Sequence, residues 1–234
     1  MGIEEIVEFV EDKSGESARS SLESYFYDNA FTGSRFETFF ASDTPNKFTA
    51  NDFIAVSMLS VRVPPRAAAR ILVDKKNDFI NYLEKVQPPE VSIVDDGADL
   101  SKGSATYLLW KGIFGFPGIG ETIASKLLAT KRPNLFPIFD SHVAKALDLD
   151  RSFYWKPWQD FMKSDEGRKC VQKVRGFAVN LKITGVSDLR LLDIIIWMRV
   201  HGHKFITQDL VDNGWMKEVS YAPPEKPKKR QRFK

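Results

Sequence analysis

Residues 115–147 read GFPGIGETIASKLLATKRPNLFPIFDSHVAKAL, and this stretch decides how the rest of the chain is organised. Pro117, Gly118, Ile119 and Gly120 form a tight bend, because glycine takes backbone angles closed to other residues and lets other groups approach the main chain. Helical patterns cover residues 104–114 before the bend and 121–130 after it, so only GFPGIG separates two helices. Helices joined this tightly pack as an antiparallel hairpin. Farther on, an apolar strip containing Pro137 ends at a lone acid, Asp140, which opens a short helix over 141–147.

The helical reading extends in both directions. Thr49 and Asp52 have capping-box spacing ahead of FIAVSMLSV, and Pro64 and Pro65 start AAARILV, as proline suits a first helical turn. Further helices are expected over 77–86, 155–162, 167–183 and 189–200, the last with an apolar face of Leu191, Leu192, Ile195 and Met198. Alternating patterns of the kind strands show are scarce. The expectation is an all-α, two-lobed helical bundle: an N-terminal helical lobe over 1–86, a linker or surface loop over 87–103 (QPPEVSIVDDGADLSKG), a hairpin-bearing lobe over 104–221 and a disordered basic tail over 222–234.

Composition narrows the function classes. With 234 residues and 43% apolar content, the chain can fill a core without staples. A single cysteine, Cys170, excludes internal disulfides and four-cysteine metal or iron–sulfur sites, and reads as a small core residue. No apolar run reaches the roughly 20 residues that cross a bilayer, and the acidic start differs from a signal peptide, so the expected location is cytoplasmic, away from membranes. The net charge of +3 is uneven: residues 222–234 carry +5 and residues 1–30 carry −6. Any nucleic-acid surface is therefore local, and residues 111–133, at +3, are one such place.

At the bend, the amides that start the second helix lack helical acceptors and lie at the positive end of its dipole, where an anion fits. A nucleic-acid phosphate suits this position, with Lys126, Lys131 and Arg132 adding attraction. Glycines in a helix-to-helix turn also serve simply to reverse the chain. Asp140 likewise reads as an N-cap in its own right, and a carboxylate held ionised there can also act as a base or stabilise a passing cation.

Taken together, the run resembles the signature of the helix-hairpin-helix base-excision DNA glycosylases. Pro117, Gly118, Ile119 and Gly120 match the hairpin, Ala124 the helix-packing alanine, Pro137 the apolar strip, Asp140 the catalytic acid and Val143 the apolar contact after it. In relatives with lyase activity a lysine stands two residues after the last hairpin glycine. That position is Thr122 here, and Lys126 lies one turn beyond it. The resemblance thus implies a monofunctional enzyme that holds DNA, double-stranded by expectation, at Pro117 to Gly120 with Thr122, Lys126, Lys131, Arg132 and Lys145 nearby, and that hydrolyses the N-glycosidic bond of a damaged or modified base through Asp140. Lys145 stands where the family frequently has arginine. No metal or redox cofactor is implied, although a monovalent cation often sits on the hairpin carbonyls in that family. The N-terminal half, with FTANDFIAVSMLSV and VPPRAAARILVD, is instead similar to an uncharacterised bacterial family of unknown function.

Two other readings stay open: a non-catalytic DNA-binding module in which Asp140 is only a cap, and an adaptor whose acidic N-terminus binds a protein partner. Tyr107, Trp110, Trp155, Trp158 and Trp197 are read mostly as core. The HGH of His201 and His203 reads as a solvated loop rather than a metal pair, and His142 as a capping or surface residue.

Overall fold

The computed structural model describes residues 3, 5–11, 16–27, 31–40, 43–149 and 154–205. Among these residues all regular structure is helical. The basic tail lies outside them.

The capping box forms as its spacing predicts. Helix α4 (Ala50–Met58) has Thr49 at its N-cap, with both reciprocal bonds to Asp52 in place. Pro64 and Pro65 start α5 (Pro65–Ala69), but the helix widens into a π turn over Arg70–Asp74 before α6 (Lys76–Lys85). Ser104 caps α7 (Ala105–Phe114) by accepting from the Tyr107 amide, and α8 (Glu121–Ala129) follows directly after the bend. The two pack against one another. Then come α9 (Ser141–Ala146), α10 (Trp155–Lys163), α11 (Asp165–Asn180) and α12 (Asp188–Phe205). Ahead of them stand α1 (Glu5–Val10), α2 (Glu16–Tyr27), a 3-10 turn at Thr32–Arg35 and α3 (Phe36–Phe39). The first two fall in the acidic first 30 residues, and α1, the 3-10 turn and α3 are only 6, 4 and 4 residues long.

Helix packing does not follow the two halves of the sequence. The N-terminal α1 and α2 pack on the C-terminal α11 and α12, whereas α4 packs on α8 and α6 on α7. One apolar core runs through all of them, from Ile3 to Met198. Residues 87–103 are irregular, as expected of a loop, yet they are pinned rather than free. Ile93 and Leu100 are buried; the Ile93 amide donates to the Asn134 carbonyl at 2.8 Å, Gln159 donates to the Ile93 carbonyl at 3.0 Å, and the Trp155 indole donates to the Leu100 carbonyl at 3.2 Å. The segment fastens the turn after α8 to α10. Among the described residues no helix is long and apolar enough to cross a membrane. Cys170 is buried on α11, where desolvation pushes its thiol up to about 12, the behaviour of a packing residue.

Candidate functional site

The bend is built as its glycines require. Gly118 has φ +83, a left-handed conformation, and a Cβ there would stand 2.9 Å from the Pro64 ring. Ile119 between the glycines is buried and its amide donates to the Phe116 carbonyl at 3.0 Å, so the turn is nailed to the core while Pro117, Gly118 and Gly120 stay exposed. Gly120 is the N-cap of α8 and supplies no capping side chain, and a Cβ added to it would meet open space. The first amides of α8 therefore receive no capping side chain from Gly120 and lie at the positive end of the helix.

From the end of α8 the apolar strip runs back along that helix. Ser125, fully buried, accepts from the Phe139 amide at 2.9 Å and donates to the Thr122 carbonyl at 3.1 Å, clamping the strip to α8 just before Asp140. Asp140 is the N-cap of α9: its Oδ1 accepts from the amides of His142 (2.9 Å) and Val143 (3.4 Å), while its Oδ2 lies 4.0 Å from Lys126 Nζ. Its side chain keeps 18% exposure, so the carboxylate has an opening to solvent. Lys126 is six residues beyond Gly120, a rise of about 9 Å along α8. The carboxylate thus lies against the side chain of a residue between one and two helical turns along α8 from Gly120.

Three expected phosphate contacts are corrected. Lys126, Lys131 and Arg132 are all buried. Lys126 donates to the Leu59 carbonyl at 3.0 Å and leans on Asp140; burial lowers its pKa, which the charges of Asp140 and Asp193 oppose. Lys131 forms a wholly buried ion pair with Asp52 at 2.8 Å and also donates to the Thr44 carbonyl. Arg132 spends its N–H groups on the carbonyls of Leu83, Pro45, Gln87 and Lys131 and on the Asn46 side chain, and burial lowers its pKa to about 10. The end of α8 is packed against α4 and the 43–48 turn, so these cations tie the hairpin to the scaffold. Thr122 is half-buried and Lys145 is exposed.

The cations that do face solvent near the bend lie elsewhere. Arg62 and Arg66 flank Pro64, which touches Gly118, and both are exposed, as is Lys111 at the end of α7. Their nearness to the bend comes from a tertiary contact that spacing along the chain does not reveal.

Behind Asp140 lies a buried charge array that sequence reading missed. On α12, Arg190 pairs with Asp193, donates to the Tyr25 hydroxyl and reaches Glu37 at 3.3 Å. Asp193 is in turn felt by Lys126 and Asp140. Positive and negative groups thus alternate inward from Asp140 through Lys126, Asp193 and Arg190 to Glu37. Three acids face two bases. Burial raises the pKa of Glu37 and Asp193 although Arg190 pulls both down, and burial pushes the Tyr25 hydroxyl up to about 12. The readable signal was a pair of charges three residues apart inside the otherwise apolar run LRLLDIII.

The aromatic expectations divide. Trp110, Trp155 and Trp158 are core residues, whereas Trp197 and Tyr107 are half-buried. The HGH reading is corrected, because α12 continues through both histidines instead of ending in a loop.

A family model described as a family of unknown function, DUF6308, matches residues 18–200, and the chain belongs to that family. The match agrees with the resemblance seen in the N-terminal half and extends over the hairpin half, where it adds no support for a glycosylase. No curated protein and no solved structure matches the chain.

Proposed function

We propose that this DUF6308 chain is a monofunctional DNA glycosylase-like protein of the helix-hairpin-helix type. It grips the DNA backbone at the 117–120 bend and hydrolyses an N-glycosidic bond with Asp140. The observation that carries the reading is the pairing of an uncapped helix start at Gly120 with a partly exposed carboxylate, Asp140, that caps α9 and lies 4.0 Å from Lys126 of α8. A phosphate accepts from the first amides of α8, assisted by Arg62, Arg66, Lys111 and Lys145 in place of the buried cations.

With the backbone held there, a nucleotide swung from the stack, at a cost of a few kcal/mol, brings its sugar to Asp140. The carboxylate stabilises positive charge building on the sugar as the base departs, and orients a water onto the anomeric carbon. Its two amide bonds at the start of α9 and the neighbouring Lys126 hold the carboxylate in position for this role. Buried, perturbed charges gathered behind one carboxylate are also more typical of functional sites than of stabilising cores.

The same bonds favour the runner-up reading, a non-catalytic DNA-binding protein in which Asp140 only caps α9. Duplexes carrying alkylated, deaminated and oxidised bases, scored for abasic sites, separate the two. Base release by the wild type that Asp140→Asn abolishes without loss of duplex affinity supports the enzyme. Duplex binding with no release from any lesion overturns it in favour of the binding module.

A further inference from the structure

Four aromatic rings form a ladder that ends beside Asp140. The Phe31 ring meets Trp197 edge-on at 5.6 Å, Trp197 stacks on His201 at 4.7 Å with the planes 21° apart, and His201 meets His142 edge-on at 4.6 Å. Two elements build it. Asp193, Trp197 and His201 recur at every fourth residue of α12 and so share one face, and α9, which carries His142, packs against that helix.

The ladder is ordered from inside to outside. Trp197 also meets Tyr25 edge-on at 6.2 Å, next to the buried Arg190 array. Nδ1 of His201 lies 3.3 Å from the Trp197 carbonyl, a bond to its own helix that fixes the ring in place. His142 is the exposed rung, and its amide donates to Asp140 Oδ1. A half-buried stack therefore holds one solvent-facing aromatic ring two residues from the candidate catalytic carboxylate. Core packing accounts for the inner rungs. It does not account for the outermost, which buries little.

We propose that His142 is the stacking surface for a heteroaromatic base seated beside Asp140, and that His201 and Trp197 are positioning residues that hold its ring. This rests on the reading that DNA binds at the 117–120 bend, and it names the specificity-determining residue of that site. Recognition through a π face accepts any nucleobase that can leave the duplex, so the site selects for ease of extrusion more than for one pattern of hydrogen bonds.

The test uses the full chain and two duplexes of one sequence, one fully paired and one carrying a single 2-aminopurine mismatch, with affinities read by anisotropy. Wild type is expected to prefer the mismatched duplex. His142→Ala should cut its affinity for that duplex at least about fivefold, the lower end of what base–aromatic stacking supplies. Affinity for the paired duplex should not change, and His142→Phe should restore the preference. A preference that survives His142→Ala, that phenylalanine fails to rescue, or that wild type never shows overturns the stacking role alone. Failure of wild type to bind either duplex overturns the DNA reading with it.

Discussion

Replacing Gly118 and Gly120 one at a time with alanine separates what the bend does for the fold from what it does for a ligand. At Gly118 the backbone has φ +83, and the new methyl would stand 2.9 Å from the Pro64 ring at the start of α5. The left-handed conformation and the forced shift of Pro64 together cost roughly 2–4 kcal/mol. At Gly120 the backbone is ordinary, with φ −96, and the methyl meets open space. The stability cost there is that of exchanging one N-cap residue for a poorer one, under about 1 kcal/mol. The same methyl projects where a phosphate must come close to the α8 amides, and the expected loss is about tenfold in duplex affinity, or about 1.4 kcal/mol. Urea unfolding read by tryptophan fluorescence and anisotropy with a labelled duplex give both quantities for each variant. Gly118→Ala should be destabilised, and Gly120→Ala should be folded and weak in binding. A well-folded Gly120→Ala that binds duplex as tightly as wild type refutes the assignment of the α8 amides as the backbone grip.

Two further outcomes follow from the buried charges. Lys131→Met leaves the Asp52 carboxylate inside the protein with only its Thr49 bonds, and should cost about 3–5 kcal/mol, much of it recovered in the Lys131→Met/Asp52→Asn double variant; denaturant titration of all three proteins checks this. Glu37 and Asp193 have folded-state pKa values raised above their unfolded ones, so their stabilising contribution is complete below about pH 4 and is lost as pH rises through the raised values. Melting temperatures should accordingly fall for wild type over that rise, and more gently for Glu37→Gln, with Arg190 still paired to Asp193.

What the sequence made legible was whatever local chemistry decides. The Thr49–Asp52 box, the proline start of α5, the Ser104-to-Phe114 helix and the Asp140 cap all depend on residues within one turn of each other, and each forms. The fates of Lys131 and Arg132 depend on which way the end of α8 faces, and charge alone carries no information about that. Helices α1 to α3 were not read individually within the expected helical lobe over 1–86, because much of their helicity comes from the partners they pack on, here α11 and α12 for the first two. The approach of Lys126 to Asp140 was within reach of the sequence, since a residue four beyond Thr122 returns to nearly the same helix face. The Arg190 array was partly so. Its location behind Asp140 comes from α12 crossing the molecule to meet α2 and α9, which no spacing announces.

The central claim is that the Asp140 carboxylate faces the sugar of DNA held at the bend and stabilises positive charge on it. It is tested most directly with duplexes that differ only at one position, a neutral tetrahydrofuran abasic site or a positively charged pyrrolidine in its place. Wild type should bind the charged site at least about tenfold more tightly, the mark of a site complementary to a cationic transition state, and Asp140→Asn should erase the difference while keeping its affinity for the neutral site. Equal binding of the two duplexes by wild type, or a difference that persists in Asp140→Asn, would contradict it.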